Sequence, residues 1–156
     1  MSHTIKRPDG VIEAAPVASY RAVIDVFQRW LAVVAVVLCA VQIGFAALGF
    51  WGGEAGGGTE AATRAAFAPH AANGQVLQYL AVLLLILGLF TMANWKAWVI
   101  PLVCAVLLFL VQGLLVGLGF EVNQWFGFLH AISGTVITAG FVWLMADRWR
   151  HPLHHA

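Results

Sequence analysis

The sequence predicts an all-α integral membrane protein, a bundle of four transmembrane helices built from two similar helix pairs. Of its 156 residues, 62% are hydrophobic and 10% are charged, whereas soluble domains carry about 25% charged residues. Four apolar segments have the length of roughly 20 residues that a helix needs to cross the hydrocarbon of a bilayer. Rare polar residues recur at matching places in the first and second pairs of segments. A net charge of +1 without a basic stretch disfavours nucleic-acid binding.

Polar segments flank the apolar part of the chain. Residues 1–29 carry mixed charge and are interpreted as a cytoplasmic tail. Within this tail, the amphipathic stretch from Ser19 to Arg29 is predicted to lie as a helix on the membrane surface. The transmembrane domain is assigned to residues 30–146, and the polar residues 147–156 form a second cytoplasmic tail.

The predicted spans lie at about 30–51, 69–93, 98–120 and 123–146. The second span is expected to start near Pro69, because proline is tolerated in the first turn of a helix. The preceding stretch Gly52–Thr59 lacks the Lys-Ser/Thr of a phosphate-binding loop and is interpreted as a flexible linker. Cys39 and Cys104 lie inside apolar runs, which favours buried apolar side chains over a disulfide or metal ligands.

The basic residues predict the orientation of the spans. Seven of the eight would lie on one side of the membrane, and only Arg64 would lie on the other. Basic residues concentrate on the cytoplasmic side, so both termini are predicted to be cytoplasmic, in the inner membrane of a bacterium. The seven residues are Lys6, Arg7, Arg21, Arg29, Lys96, Arg148 and Arg150.

An internal repeat relates the two helix pairs. The pattern Val-Gln, five residues, Leu-Gly-Phe begins at Val41 and recurs 70 residues later at Val111. The pattern His-Ala-x-x-Gly-x-Val begins at His70 and recurs 60 residues later at His130. A first external connection ten residues longer than the second accounts for the two offsets. Because glutamine and histidine are scarce here, a duplication is favoured over coincidence between helix ends of similar composition.

The repeat places His70 and His130 at equivalent depths on the second and fourth helices. A histidine in a membrane helix is costly unless it pairs, coordinates a metal or lines a cavity. Two imidazoles on facing helices can bind a haem iron from both sides, and the interior of a bundle is a usual place for such a site. The alternative is that each histidine is an ordinary side chain near the membrane boundary.

Several neighbouring residues are candidates to support a haem b. Gly74 and Gly134 lie one turn after the histidines on the same helix face and would let a macrocycle approach the backbone. Gln42 and Gln112 are candidates to bond to the imidazoles, or alternatively to form ordinary hydrogen bonds between helices. Arg64 is a candidate partner for haem propionates, or alternatively a solvated arginine.

The chain resembles an uncharacterised family of small bacterial four-helix membrane proteins with His-x-x-x-Gly on helices two and four. It is also similar to one half of haem A synthase and, more loosely, to membrane cytochromes b. The resemblance covers about residues 30–148 and implies haem ligation by His70 and His130. Haem A synthase chemistry is associated with an acidic residue near the first histidine, whereas Pro69 precedes His70 here.

These features predict a b-type cytochrome that transfers single electrons to or from a redox partner, with a quinone as a second candidate ligand. The alternative is an accessory subunit of a larger membrane complex, in which a haem is structural or absent. An independent enzyme is not expected, because the spans contain no recognisable catalytic set. The tail histidines His151, His154 and His155 are expected to be solvated.

Overall fold

The computed structural model describes residues 4–6, 12–14 and 19–153. The chain begins with two short antiparallel strands, β1 (Thr4–Lys6) and β2 (Ile12–Ala14). The helices that follow are α1 (Ser19–Ala55), α2 (Glu60–Thr91), α3 (Lys96–Val106), α4 (Gly113–Glu121) and α5 (Trp125–Arg150). A π-helical turn (Leu107–Gln112) joins α3 to α4. The expectation for His154 and His155 lies outside the described residues.

Four helical segments of the described chain are long and apolar enough to span a membrane. They are α1, α2, the continuous segment Lys96–Glu121 and α5. This confirms the predicted all-helical fold with four helical segments of the length and composition needed to span a membrane. The stretch from Ser19 to Arg29, predicted as a separate surface helix, is instead the first part of α1. Its residues Asp25 and Gln28 are fully buried against the bundle, so the segment packs as part of the fold.

The connection between α1 and α2 is much shorter than the sequence suggested. The interpretation of Gly52–Thr59 as a flexible linker is wrong, because α1 continues to Ala55 and only 56–59 connect the helices. Small residues permit this extension, since ideal Cβ atoms built at Gly52 and Gly56 would lie 2.9 Å and 2.4 Å from the Cβ atoms of Ala66 and Ala62. Gly52 of α1, and Gly56 directly after its end, therefore pack against alanines of α2. Pro69 lies inside α2 rather than at its start.

The helices form a ring in the order α1, α2, the segment Lys96–Glu121 (the third span) and α5. Each of them packs on its two neighbours in the ring. We call the end that holds the start of α1 and the end of α5 the terminal end. The opposite end, with the connections at 56–59 and 122–124, is the hairpin end. The apolar core fills the terminal half and the middle of the bundle. Its fully enclosed members include Ala32, Ala35, Ala81, Leu84, Phe141 and Leu144.

Burial repeats between the two helix pairs. The buried positions Leu77, Ala81 and Leu84 of α2 correspond, 60 residues later, to the buried Ile137, Phe141 and Leu144 of α5. This correspondence extends the repeat from the short sequence motifs to the length of the two helices. Equivalent residues therefore meet the same environment on opposite corners of the bundle.

A network of buried charges closes the terminal end. Asp25 and Arg148 are fully buried, with Arg148 Nη1 3.8 Å from Asp25 Oδ1. Asp147 Oδ1 lies 3.0 Å from Lys96 Nζ, and the backbone N–H of Leu153 donates to Asp25 Oδ2 over 3.0 Å. The network joins α1, α3 and α5, so it ties the ends of three helices together.

Gly88 marks the closest approach between α2 and α3. A Cβ atom there would lie 1.9 Å from the backbone oxygen of Ala97 and 2.9 Å from Gln28 Nε2. We expect Gly88→Ala to lower the free energy of unfolding by about 1–3 kcal/mol, because the backbone of α3 would have to move. Denaturant titration in detergent micelles measures this.

Gly44→Ala is the matched control, because a Cβ atom at Gly44 meets no heavy atom within 4 Å. Alanine is the better helix former, so stability should stay equal or rise by up to about 1 kcal/mol. Equal stabilities of the two variants would contradict the packing at Gly88.

Candidate functional site

The bundle divides into two helix pairs at its hairpin end. No Cα atom of α2 comes within 8 Å of a Cα atom of α5, and α4 approaches only α5 and its own π-helical turn. In the hairpin half of the described chain, α1 packs on α2 and α4 packs on α5. The side chains of α2 and α5 that face each other across the diagonal form the candidate site.

His70 on α2 and His130 on α5 face each other across the bundle. Their ring centroids are 6.3 Å apart, and the ring planes are tilted by 53°. Both residues are partly buried. The structure thus brings together the two histidines that the repeat singled out, on the diagonal of the helix ring.

Gln42 holds His70 through reciprocal hydrogen bonds between α1 and α2. The Gln42 amide Nε2 donates to the backbone oxygen of His70 over 3.0 Å and to His70 Nε2 over 3.2 Å. His70 Nδ1 donates in return to the backbone oxygen of Gln42 over 3.2 Å. Asn73 Nδ2 donates to Gln42 Oε1 over 2.7 Å, which fixes the orientation of the glutamine amide.

The second helix pair reproduces the two bonds that involve backbone oxygens. Gln112 Nε2 donates to the backbone oxygen of His130 over 3.3 Å. His130 Nδ1 donates to the backbone oxygen of Gln112 over 3.4 Å. Both glutamine side chains therefore form hydrogen bonds between the helices of their pair, but only the Gln42 side chain also bonds to an imidazole, as expected from the sequence.

The backbone carbonyls determine which ring nitrogen carries the proton. A neutral imidazole whose Nδ1–H donates to a carbonyl has an unprotonated Nε2. This second interaction is typical of histidines that bind metals through Nε2, because it fixes both the tautomer and the ring orientation. In the second helix pair this leaves Nε2 of His130 available as a ligand, whereas Nε2 of His70 accepts a hydrogen bond from Gln42 Nε2 that a metal would have to replace.

The four-residue spacing between histidine and glycine, which both copies of the repeat share, has a local cause in the fold. A Cβ atom at Gly74 would lie 3.4 Å from Gln42 Nε2, and one at Gly134 would lie 3.5 Å from Gln112 Nε2. Each glycine gives room to the glutamine amide that crosses over it. The expected approach of a macrocycle to these glycines stays a prediction.

The π-helical turn changes the offset of the repeat by one residue. Towards the terminal end, the buried Ala35 and Cys39 of α1 correspond to the buried Cys104 and Leu108, 69 residues later. Beyond the turn, Gln42 corresponds to Gln112, 70 residues later. A π-helical turn accommodates one extra residue in a helix and is frequent at functional sites. Here the turn lets Gln112 face His130 although the helix is one residue longer.

Arg64 lies on α2, six residues before His70 and towards the hairpin end. Its Nη2 is 2.6 Å from Glu60 Oε1, and the side chains of both residues are largely exposed. Such an exposed pair contributes little to stability, so Arg64 can exchange its partner. Its role towards haem propionates stays a prediction.

Sequence reasoning proposed Phe67 as an aromatic wall of the site, and its ring meets His70 edge-on with centroids 6.0 Å apart. Sequence reasoning missed Asn73 and Ser133. Asn73 completes the glutamine network, and Ser133 is its counterpart 60 residues later. The signal was present inside the His-Ala-x-x-Gly pattern, whose second variable position is polar in both copies.

Comparison of the chain with protein-family models, with curated proteins and with solved structures finds no match. Among the described residues, no group of three or more His, Cys, Asp or Glu side chains is placed to hold a metal ion. The site therefore rests on its two histidines and their supporting residues.

Deletion of Phe109 tests the role of the π-helical turn. We expect the shortened third span to become a regular α-helix that keeps both its core contacts and the Gln112–His130 pair. The free energy of unfolding should fall by less than about 1 kcal/mol, as for a change away from packed features. Denaturant titration in micelles measures this.

Deletion of Ala40 is the matched control in α1, where the helix has no extra residue. The deletion rotates Gln42 by about 100° away from His70. The lost hydrogen bonds should cost at least about 2 kcal/mol. If the Phe109 deletion lowers the free energy of unfolding as much as the Ala40 deletion does, the π-helical turn does not accommodate an extra residue.

Proposed function

We propose that this protein is a b-type haem protein of the membrane in which His70 and His130 bind one haem iron from opposite sides. The observation that carries the proposal is the pair of facing imidazoles, each with its Nδ1 bonded to a backbone carbonyl. Nε2 of His130 is available to a metal, and Nε2 of His70 becomes available when it gives up its hydrogen bond to Gln42 Nε2. The two rings come from different helix pairs. The proposal agrees with the function expected from the sequence.

The separation of the rings supports this ligation. A metal–imidazole bond is about 2.0 Å long, and the ring centroid lies about 1.1 Å behind the nitrogen, so two opposed ligands have centroids about 6.2 Å apart. The centroids of His70 and His130 are 6.3 Å apart. The separation of the two rings is therefore close to that of two imidazole ligands of one ion.

Haem is favoured over a bare ion by the number of ligands. Zinc and copper sites in proteins require three or four side-chain ligands, and the described residues offer only these two histidines here. A porphyrin supplies four nitrogen ligands itself and leaves two axial positions.

The bound haem would supply one-electron redox chemistry. The residues of this chain would hold and orient it: Gln42 and Gln112 fix the imidazoles, and Phe67 covers one side of His70. Arg64 lies on the exposed surface near the site, where it is available to a propionate or to a partner. A single haem near one membrane face does not cross about 30 Å of hydrocarbon, so a redox partner or a quinone is required.

We also propose that the protein is a multi-pass protein of the inner membrane with both termini in the cytoplasm. The basic residues of the described chain support this, since Arg21, Arg29 and Lys96 lie at the terminal end. At the same end, Trp30 packs edge-on against Trp149 with centroids 5.4 Å apart, as in an interfacial aromatic belt. The His70–His130 site then faces the external side.

Absorption spectroscopy of the purified protein tests haem binding. We expect one haem per chain and the spectrum of two imidazole ligands, and we expect both His70→Ala and His130→Ala to lose that spectrum. Gln42→Ala should keep its haem, because alanine retains the backbone carbonyl that accepts from His70 Nδ1 and removes the amide that bonds to His70 Nε2. Pyridine haemochrome quantification gives the stoichiometry.

His151→Ala serves as the control, because His151 is an exposed residue at the terminal end. Its haem content should equal that of the unchanged protein. A protein that copurifies with partner subunits in fixed ratio but contains no haem would instead support the accessory-subunit alternative.

Cysteine labelling tests the orientation. The natural Cys39 and Cys104 are buried, so they give little background. In intact cells, a membrane-impermeant maleimide should label Val122→Cys at the hairpin end, whereas Arg150→Cys should react only after lysis. The reverse pattern would contradict cytoplasmic termini.

A further inference from the structure

The two ends of the bundle carry opposite net charge. Among residues 19–153, the terminal end has five basic and two acidic residues and therefore a net charge of +3. They are Arg21, Arg29, Lys96, Arg148 and Arg150 against Asp25 and Asp147. The hairpin end has a net charge of −2, from Arg64 against Glu54, Glu60 and Glu121. The terminal end of the bundle therefore attracts anionic groups.

At the corner between α1 and α5, one carboxylate serves two guanidinium groups. Asp25 Oδ1 lies 3.8 Å from Arg148 Nη1, and Asp25 Oδ2 lies 3.3 Å from Arg29 Nε. The Arg148 side chain is fully buried, whereas 18% of the Arg29 side chain is exposed. The three groups leave one positive charge uncompensated, and Arg29 is the group through which this charge reaches the surface.

Two indole rings flank Arg29 on the outside of this corner. The guanidinium carbon of Arg29 lies 5.6 Å from the centroid of the Trp149 ring, and Trp149 packs edge-on against Trp30. Both tryptophans are exposed on the surface of the bundle. Because tryptophan is enriched at the level of the lipid headgroups, this corner is expected to lie at the depth of the lipid phosphates.

The opposite corner, between α3 and α5, has the same kind of contact without the excess charge. Lys96 Nζ lies 5.8 Å from the centroid of the exposed Trp143 ring. Here, however, the ammonium donates a hydrogen bond to Asp147 Oδ1 over 3.0 Å. The cation at this corner is therefore compensated by a bonded carboxylate, whereas Arg29 Nε is buried without a hydrogen-bond partner among the described residues.

We propose that the corner formed by Arg29, Trp30 and Trp149 binds the phosphate group of an anionic phospholipid. A guanidinium presents a planar set of donors that matches phosphate oxygens, and each indole adds an N–H donor. The exposed indole faces would contact the apolar part of the lipid next to the phosphate. Phosphatidylcholine has the same phosphate, but its own ammonium group neutralises the charge that Arg29 would attract. The inference does not depend on a haem.

Native mass spectrometry of the purified protein in micelles, titrated with phosphatidylglycerol, tests the site. One molecule per chain should bind more tightly than phosphatidylcholine does. Arg29→Gln should lower the phosphatidylglycerol affinity about tenfold, the scale of a charge-assisted hydrogen bond. Trp149→Leu should also lower this affinity, because it removes the ring that lies against the guanidinium.

Arg150→Gln is the control for net charge, because it removes the same charge from an exposed position at the same end. Trp143→Leu is the matched control for the loss of a ring. Both should change the affinity by less than about twofold at physiological ionic strength, where charges more than about 8 Å apart are screened. Equal losses in Arg29→Gln and Arg150→Gln would overturn the site, because net charge alone would then explain the binding.

Arg29→Lys separates lipid binding from folding, because lysine keeps a positive charge near Asp25 but lacks the planar donors. This variant should unfold at the same denaturant concentration as the unchanged protein and still bind phosphatidylglycerol more weakly. An unchanged affinity would contradict recognition by the guanidinium. Inorganic phosphate at millimolar concentration should not displace the lipid. Displacement would show an anion site open to water and would overturn the assignment to a phospholipid.

Discussion

The structure depends on one constraint: an imidazole inside an apolar bundle must find partners within the protein. An unsatisfied polar group in hydrocarbon costs several kcal/mol, and the chain meets this cost with one glutamine for each histidine. The side chains of Gln42 and His70 each donate a hydrogen bond to the backbone oxygen of the other residue. These two hydrogen bonds fix the register of α1 against α2. The glycine one turn after the histidine then becomes necessary, because the amide passes over it.

The internal repeat places the same solution in the second helix pair. The pair α1–α2 and the pair α4–α5 each supply one histidine, and the two rings face each other. The core repeats in the same way, since α2 and α5 bury equivalent positions. The third span retains the glutamine–histidine contact despite one extra residue, and the π-helical turn is where this extra residue is accommodated. The contact is thus maintained at the expense of regular helix geometry.

The sequence predicted the four helices and the pairing of His70 with His130, and it missed the details that depend on close packing. Apolar runs bounded by tryptophan suffice to locate helices, and scarce histidines at matched positions suffice to locate a site. The helical extension to Ala55 was missed because glycines usually indicate a flexible segment, whereas here they face the alanines of α2. The π-helical turn leaves no compositional trace. It becomes visible only when the buried positions of α1 and α3 are compared.

The two halves of the bundle divide the demands of stability and binding. Enclosed apolar side chains and the Asp25–Arg148 network concentrate at the terminal half. There, the four helices are held without any contribution from the histidines. The hairpin half has few enclosed side chains, and α2 does not approach α5 there. A well-packed half that holds the helices in register allows the other half to carry polar side chains, since the cost of an incomplete core there is offset elsewhere. A bundle packed with apolar side chains equally along its length would leave no position for the histidines and their glutamines.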